Sequence, residues 1–128
     1  VTTIPLALHD LLNDRETPLE VAIDRHFTPD YRQRTDGAWA DRTAFTAHIA
    51  HLRGRTSHVS VEVLHEVSAG NAYAEHHRIE VEKTDGTRTV QEVYLFAERA
   101  ADGRFAVIDE TTLMISGTEE DRSLGRAR

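Results

Sequence analysis

The stretch from Tyr73 to Glu82, YAEHHRIEVE, carries imidazoles and carboxylates at a spacing that could move protons. Period-two alternation sets Tyr73, Glu75, His77, Ile79 and Val81 on one face of a strand, and Ala74, His76, Arg78, Glu80 and Glu82 on the other. The first face holds the larger apolar side chains, so it is the one expected to turn inward, taking Glu75 and His77 with it. Next-but-one neighbours on one strand face lie close enough for a carboxylate to orient an imidazole, which makes the pair a candidate general acid or base. The competing reading is an inert, hydrogen-bonded pair at a pocket rim or in a dimer contact. His26 raises the same choice, because it falls inside an apolar helical stripe with Leu19, Ala22, Ile23 and Phe27, either as a core histidine with a partner or facing the same cavity as His77.

With eight histidines, metal binding has to be weighed. His48 and His51 stand three apart on a helix, and His76 and His77 are adjacent and point to opposite faces. No H-x-x-x-H or His-carboxylate cluster has ligand spacing, so no metal is expected. A nucleophile elbow, a phosphate-binding loop and a dinucleotide fingerprint are also missing, and no cofactor is expected.

The elements that must position these residues can be read from periodicity. Leu6 to Leu12 is apolar enough for a short helix, and TPLE at 17–20 predicts a second, with Thr17 as cap, Pro18 in the first turn and Glu20 completing a capping box. TPDYRQRTDG follows as an irregular or extended piece. Asp41 then opens a third helix with Phe45, Ile49 and Leu52 on one face, His48 beside it and Gly54 at its end. From Ser57 the period changes to alternation, broken by SAGN, TDGT and ADGR, and the two Asp-Gly turns predict consecutive antiparallel hairpins. On the strand around residue 94, Val93 and Leu95 share the inward parity, while Glu92, Tyr94 and Phe96 face out. Two outward aromatics point to a homodimer through the sheet. Three helices followed by strands make an α+β domain over residues 3–116, a cone-shaped roll with the helices on the concave face of a strongly curved, mainly antiparallel sheet of about four to six strands. The polar stretch at 117–128 is expected to be a disordered tail.

Composition limits the partners. Fifteen Lys and Arg against 22 Asp and Glu give a net charge of −7 with no basic cluster, which disfavours nucleic acid. The absence of cysteine removes thiolate chemistry and disulfides. No apolar run approaches the roughly 18 residues of a membrane span, and VTTIPLALHD has no signal-peptide pattern, so no membrane association and a cytoplasmic location are expected.

HFTPDY at 26–31, the helix Asp41 to Arg53, VEVLHEVSAGNAYAEHH at 61–77 and AADGRFAVIDETTLM at 100–114 together resemble the nuclear-transport-factor-2-like superfamily and its SnoaL-like domains, over roughly residues 6–115. That superfamily also holds ketosteroid isomerases, scytalone dehydratase, limonene epoxide hydrolases and polyketide cyclases. The resemblance implies a pocket between helices and sheet, often in a dimer, with Phe27, Trp39, Phe45, Ile49 and Leu95 as walls and His26, Tyr31 and His48 beside them. Matching Phe27 and Asp30 to the isomerase pattern brings Asp36 within about a residue of that family's base. The isomerase tyrosine has no counterpart on the first helix, and its second acid would fall near Leu95. Alternation alone cannot choose the inner face of the last strand. The resemblance turns Ile108, Glu110 and Thr112 toward the pocket and makes Glu110 a possible second carboxylate, with a surface ion pair as its alternative. Trp39 either covers the pocket mouth, where an indole suits a flat hydrophobic ligand, or simply packs. The implied function is binding of a small hydrophobic molecule, with acid–base chemistry of isomerase, cyclase, dehydratase or hydrolase type; a non-catalytic binding or dimerisation module is the alternative.

Overall fold

The structure is a computed structural model and describes residues 2–117. The expected polar tail lies outside the described residues apart from Gly117. Helix α1 spans Ile4–Leu8, with Thr3 capping the amide of Leu6 at 3.2 Å, and continues as a π-helical turn over His9–Asn13. Helix α2 covers Leu19–His26 and α3 covers Arg42–Arg55. The strands are β1 Phe27–Thr35, β2 Ala38–Asp41, β3 Thr56–Ala69, β4 Ala72–Lys83, β5 Arg88–Arg99 and β6 Phe105–Ser116.

Three helices lie against one curved, open, mixed sheet in the order β2-β1-β6-β5-β4-β3. Every neighbouring pair is antiparallel except β1 with β6. Register shifts at Val63/His65, Val90/Gln91 and Glu98/Arg99 mark bulges, which bend strands and let a sheet curve around few helices. Gly70, Gly86 and Gly103 take positive φ in the three expected turns, where a side chain would be strained. A fourth tight turn closes β1 onto β2, with positive φ at both Asp36 (49°) and Gly37 (89°). Asp-Gly suits such a primed hairpin, and of the two forms expected for TPDYRQRTDG the extended one is observed, paired as strand up to Thr35.

Local chemistry departs from expectation at two helix ends. Thr17 does not cap α2. Its hydroxyl donates to Asp14 at 2.7 Å, Asp14 also accepts the amides of Glu16 and Thr17, and the α2 cap is Pro18. The Asp14 turn offers the threonine a nearer partner than the helix does. Gly54 does not stop α3, which runs on to Arg55 and passes directly into β3, while Asp41 caps its start through the Ala44 amide at 2.8 Å.

The core is built around Phe27, whose ring lies 4.5 Å from Tyr31, 4.9 Å from Phe45 and 6.1 Å from Phe105, in tilted geometries that aromatic rings favour. The α1 segment is roofed onto this core by polar stitches. Asn13 pairs with the β3 backbone in both directions, donating to the Val59 carbonyl at 2.7 Å and accepting its amide at 2.8 Å. The Arg53 guanidinium gathers the carbonyls of Leu11, Asp10, Asp14 and Thr17, taking up acceptors that the end of the π-helical turn leaves open. Among the described residues no helix is long and apolar enough to cross a membrane.

Asn13→Ala removes both bonds to Val59 and leaves two backbone groups of β3 short of partners, so a loss of about 1–3 kcal/mol is expected in chemical denaturation. Unchanged stability would show that water replaces the asparagine at no cost.

Candidate active site

A cavity of about 130 Å³ lies between the helices and the inner sheet face. The helical wall is apolar, with Ile4, Ala7, Leu8, Leu11, Ile49 and Leu52 as its main contributors and Phe45 and His48 beside them. The sheet wall carries most of the polar groups: Tyr31 and Gln33 from β1, His77 from β4, Gln91 from β5, and Glu110 and Thr112 from β6. Strand register explains the arrangement. Glu75, Leu95, Glu110 and Thr35 lie in one row across four strands, and His77, Val93 and Thr112 lie in the next.

The inward parity expected for β4 is the one observed, with Tyr73, Glu75, His77 and Val81 buried and Arg78 exposed. Glu75 Oε2 accepts the His77 Nδ1–H at 2.6 Å, and both side chains are almost completely withdrawn from solvent. Glu75 therefore fixes the ring and its tautomer and leaves Nε2 as the nitrogen available for chemistry. Behind this pair the Tyr73 hydroxyl hydrogen-bonds Glu75 Oε1 and approaches Glu66 at 3.0 Å. Burial and the carboxylate partners push the Tyr73 phenol far above its ordinary range, so it remains a donor. The Arg99 guanidinium lies 4.7 Å from the centre of the Tyr73 ring.

Glu110 lines the same cavity and accepts from the Thr35 hydroxyl at 2.9 Å. Loss of water raises its pKa. The Thr35 hydrogen bond and the field of His77 oppose that shift, and the charges of Asp36 and Asp109 add to it. Desolvation, helped by the negative field of Glu110, also pushes the Tyr31 phenol well up, so its proton stays in place.

Four of the five residues expected as pocket walls, Phe27, Phe45, Ile49 and Leu95, line the cavity, as do Tyr31, His48, His77 and Glu110. Glu75 stands behind His77. Three expected residues are placed elsewhere. Asp36 turns its carboxylate to Thr112, accepting the amide at 2.8 Å and the hydroxyl at 2.6 Å, because the tight β1–β2 turn aims it along the sheet edge. Trp39 is 53% exposed on β2 and stacks beneath Arg32, since the alternation of that strand sends it outward. His26 is buried away from the cavity, with Nε2 2.6 Å from Asp10 and Nδ1 bonded to the Thr2 hydroxyl. Burial pushes the Asp10 carboxyl up, but hydrogen bonds from His26 and Arg25 outweigh it and leave its pKa below the usual value. Gln33, Thr35 and Gln91 were not singled out from the sequence. The signal for the first two is the inward parity of Tyr31-x-Gln33-x-Thr35, which emerges only once the segment is taken as extended and not irregular.

On the outer sheet face His65 and His76 bring their Nδ1 atoms to 3.2 Å, and His76 also meets Glu92 at 2.6 Å and stacks on Tyr94. Among the described residues no group of three or more His, Asp or Glu side chains is placed to hold a metal ion.

No family model matches the chain. An uncharacterized protein of Schizosaccharomyces pombe is 34% identical over 98 residues, which is 77% of this chain and 75% of that protein. Among solved structures, an NTF2-like protein of unknown function from Exiguobacterium sp. 255-15 superposes with TM-score 0.65 at 16% identity, over 84% of this chain and 95% of that one. An LEH-like epoxide hydrolase from M. tuberculosis gives 0.64 at 15% identity, covering 85% and 81%. A putative SnoaL-like polyketide cyclase from Jannaschia sp. CCS1 gives 0.55 at 14% identity, covering 73% and 72%. At such identities the structural likeness speaks for the fold, while the yeast relative speaks for common descent. The chain belongs to one family with that yeast protein, and its fold is the one seen in NTF2-like and SnoaL-like proteins.

Proposed function

We propose that this protein binds a small, uncharged, largely apolar molecule in the cavity and transfers a proton on it without a cofactor, as an isomerase, cyclase, dehydratase or hydrolase would. The observation that supports this reading is the His77 imidazole, oriented by a buried Glu75 and presented to an apolar cavity that also receives Glu110. His77 Nε2 is the base and Glu110, whose pKa is raised, is the acid two strands away on the same wall of the cavity. A base and an acid presented to one cavity are what a proton relay needs. At about 130 Å³ the cavity is close to the volume of roughly 150 Å³ that accommodates benzene in a buried apolar site. A single ring or a short chain fits, and a fused multi-ring skeleton does not.

A second reading, a dimerisation or binding module, has support on the opposite face. There Phe96 is 74% and Val67 68% exposed beside Tyr94, and an outer groove runs past Val67, Ala74, Phe96 and Val107. We propose that a second copy covers this face. The two readings are compatible, since the cavity opens on the other side of the sheet.

Cyclohexanone fits the cavity volume and exchanges an α-hydrogen for deuterium when a base removes the proton and heavy water returns a deuteron. In wild-type protein this exchange is expected to run roughly 10²-fold or more faster than in His77→Gln, the range ordinarily supplied by a positioned base. Equal rates in the two proteins, followed by NMR, would remove His77 from the chemistry.

Glu110 also links the site to stability. Because its folded pKa is raised, the unfolded chain ionises first as pH climbs, so the stability present at acid pH is lost as pH rises through the folded pKa. Glu110→Gln removes that loss and can still accept from Thr35. Its melting temperature should exceed that of the wild type by more at pH 7 than at pH 4, and a pH-independent difference would contradict the assignment. For the outer face, Phe96→Glu is expected to shift sedimentation toward monomer; an unchanged profile would rule out a dimer through this patch.

A further inference from the structure

The β1 side chains Tyr31, Gln33 and Thr35 form a single file of hydrogen bonds that ends on Glu110. Tyr31 donates to Gln33 Oε1 at 2.7 Å, Gln33 Nε2 donates to Thr35 Oγ1 at 3.1 Å, and Thr35 Oγ1 donates to Glu110 Oε1 at 2.9 Å. All three side chains of the file are buried, and they succeed one another on the inner face only because β1 is a regular strand there. Each link restricts the next. A phenol that keeps its proton donates it to the amide oxygen, the amide nitrogen then meets the threonine lone pair, and the threonine proton has one remaining destination. Glu110 Oε1 is thereby an acceptor, which leaves Oε2 as the oxygen that carries an acid proton.

We propose that Thr35, set by Gln33 and Tyr31, is a positioning residue that keeps the acid proton of Glu110 on Oε2, directed at the oxygen of a bound ligand. This inference rests on the acid–base reading of the cavity, and it adds what that reading lacks, a reason for Glu110 to donate into the cavity and not into the sheet. A carboxylic acid with no such guide could spend its proton on Thr35. If the Gln33 amide were turned over, the file would run the other way and Glu110 would donate to Thr35, with no proton left for a ligand. The groups acting on Glu110 are His77 from β4, Asp36 of the β1–β2 turn, Asp109 on its own strand and the phenol of Tyr31 at the head of the file, with His48 from α3 on the same cavity. Of these, only the order of the file gives a direction to the proton.

The two directions predict opposite signs in one measurement. Thr35→Val is nearly isosteric and favours a strand. If Thr35 donates to the ionised carboxylate, its removal destabilises the charged form, and the Glu110 midpoint, read by carbon-detected NMR of the free protein, moves up. Thr35→Ser should restore it. Phenol and cyclohexanone serve as ligand probes. Phenol carries its own proton, whereas cyclohexanone only accepts, so Thr35→Val should weaken cyclohexanone about tenfold, the scale of one lost hydrogen bond, and phenol much less. A downward shift of the midpoint would show the reversed file and overturn the proposal, as would an unchanged midpoint. The titration needs no turnover, so its failure is separate from failure of the exchange reaction at His77.

Discussion

The hydrogen bond between His77 and Glu75 lies where neither partner can reach bulk water, so each depends on the other to stay buried. An imidazole deprived of its carboxylate in that position would carry an unsatisfied N–H, and a carboxylate deprived of the imidazole would be a buried charge held mainly by Tyr73. The remainder of the inner face answers to the same constraint. Tyr73 backs Glu75, Gln33 satisfies Tyr31, Thr35 satisfies Gln33, and Glu110 receives Thr35. A sheet that turns this many polar side chains inward has to pair them along its own rows, because the helical wall opposite is almost entirely hydrocarbon. That pairing is what holds the cavity open. Leucines at Gln33, His77 and Glu110 would lean toward the helices and fill it.

The sheet is therefore both floor and chemistry, and the α1 segment is the roof. That segment is fastened by groups that take no part in the cavity: Asn13 on β3, Arg53 on the π-helical turn, and Asp10 on His26. The aromatic cluster around Phe27 sits where α2 gives way to β1 without a connecting loop, which locks the helices to the strand that carries the Tyr31 file. The stitches that hold the roof are thus separate from the polar pairs of the floor, and Tyr31 joins the two through its ring contacts with Phe27 and Phe45.

How much of this could be read from sequence depended on whether a residue's neighbours in the chain were also its neighbours in space. The face of β4 was legible because Tyr73, Glu75, His77 and Val81 keep strict alternation and no bulge interrupts the strand between them. The inner face of β6 was not legible from alternation, since both of its faces mix polar and apolar side chains. Only the family resemblance, counted from the turn at Gly103, assigned it. The role of β1 is obscured by its many polar residues, and its end is marked only by Asp36-Gly37, the same turn dipeptide that stands at residues 85–86 and 102–103. Partners far apart in the chain left no local trace at all. His26 and Asp10 are 16 positions apart, and Asp36 and Thr112 are 76 apart. Each pairing takes a titratable residue out of the cavity, and a helical or strand period reports only the face a side chain leaves from, never what it meets.

The separation of floor and roof also bears on why one fold serves unlike proteins. The fold is shared by proteins as different as an LEH-like epoxide hydrolase and a putative SnoaL-like polyketide cyclase. In this chain Tyr31, Gln33, Thr35 and His77 are each satisfied by a neighbour two residues along or one strand across. The roof helices are held by separate stitches at Asn13 and Arg53. Reaction type would then follow from which rows are polar, and ligand size from where the roof sits. In this chain the rows hold one imidazole and one acid on the same wall of a space about the size of a single ring. That combination constrains the chemistry more tightly than membership of the fold does.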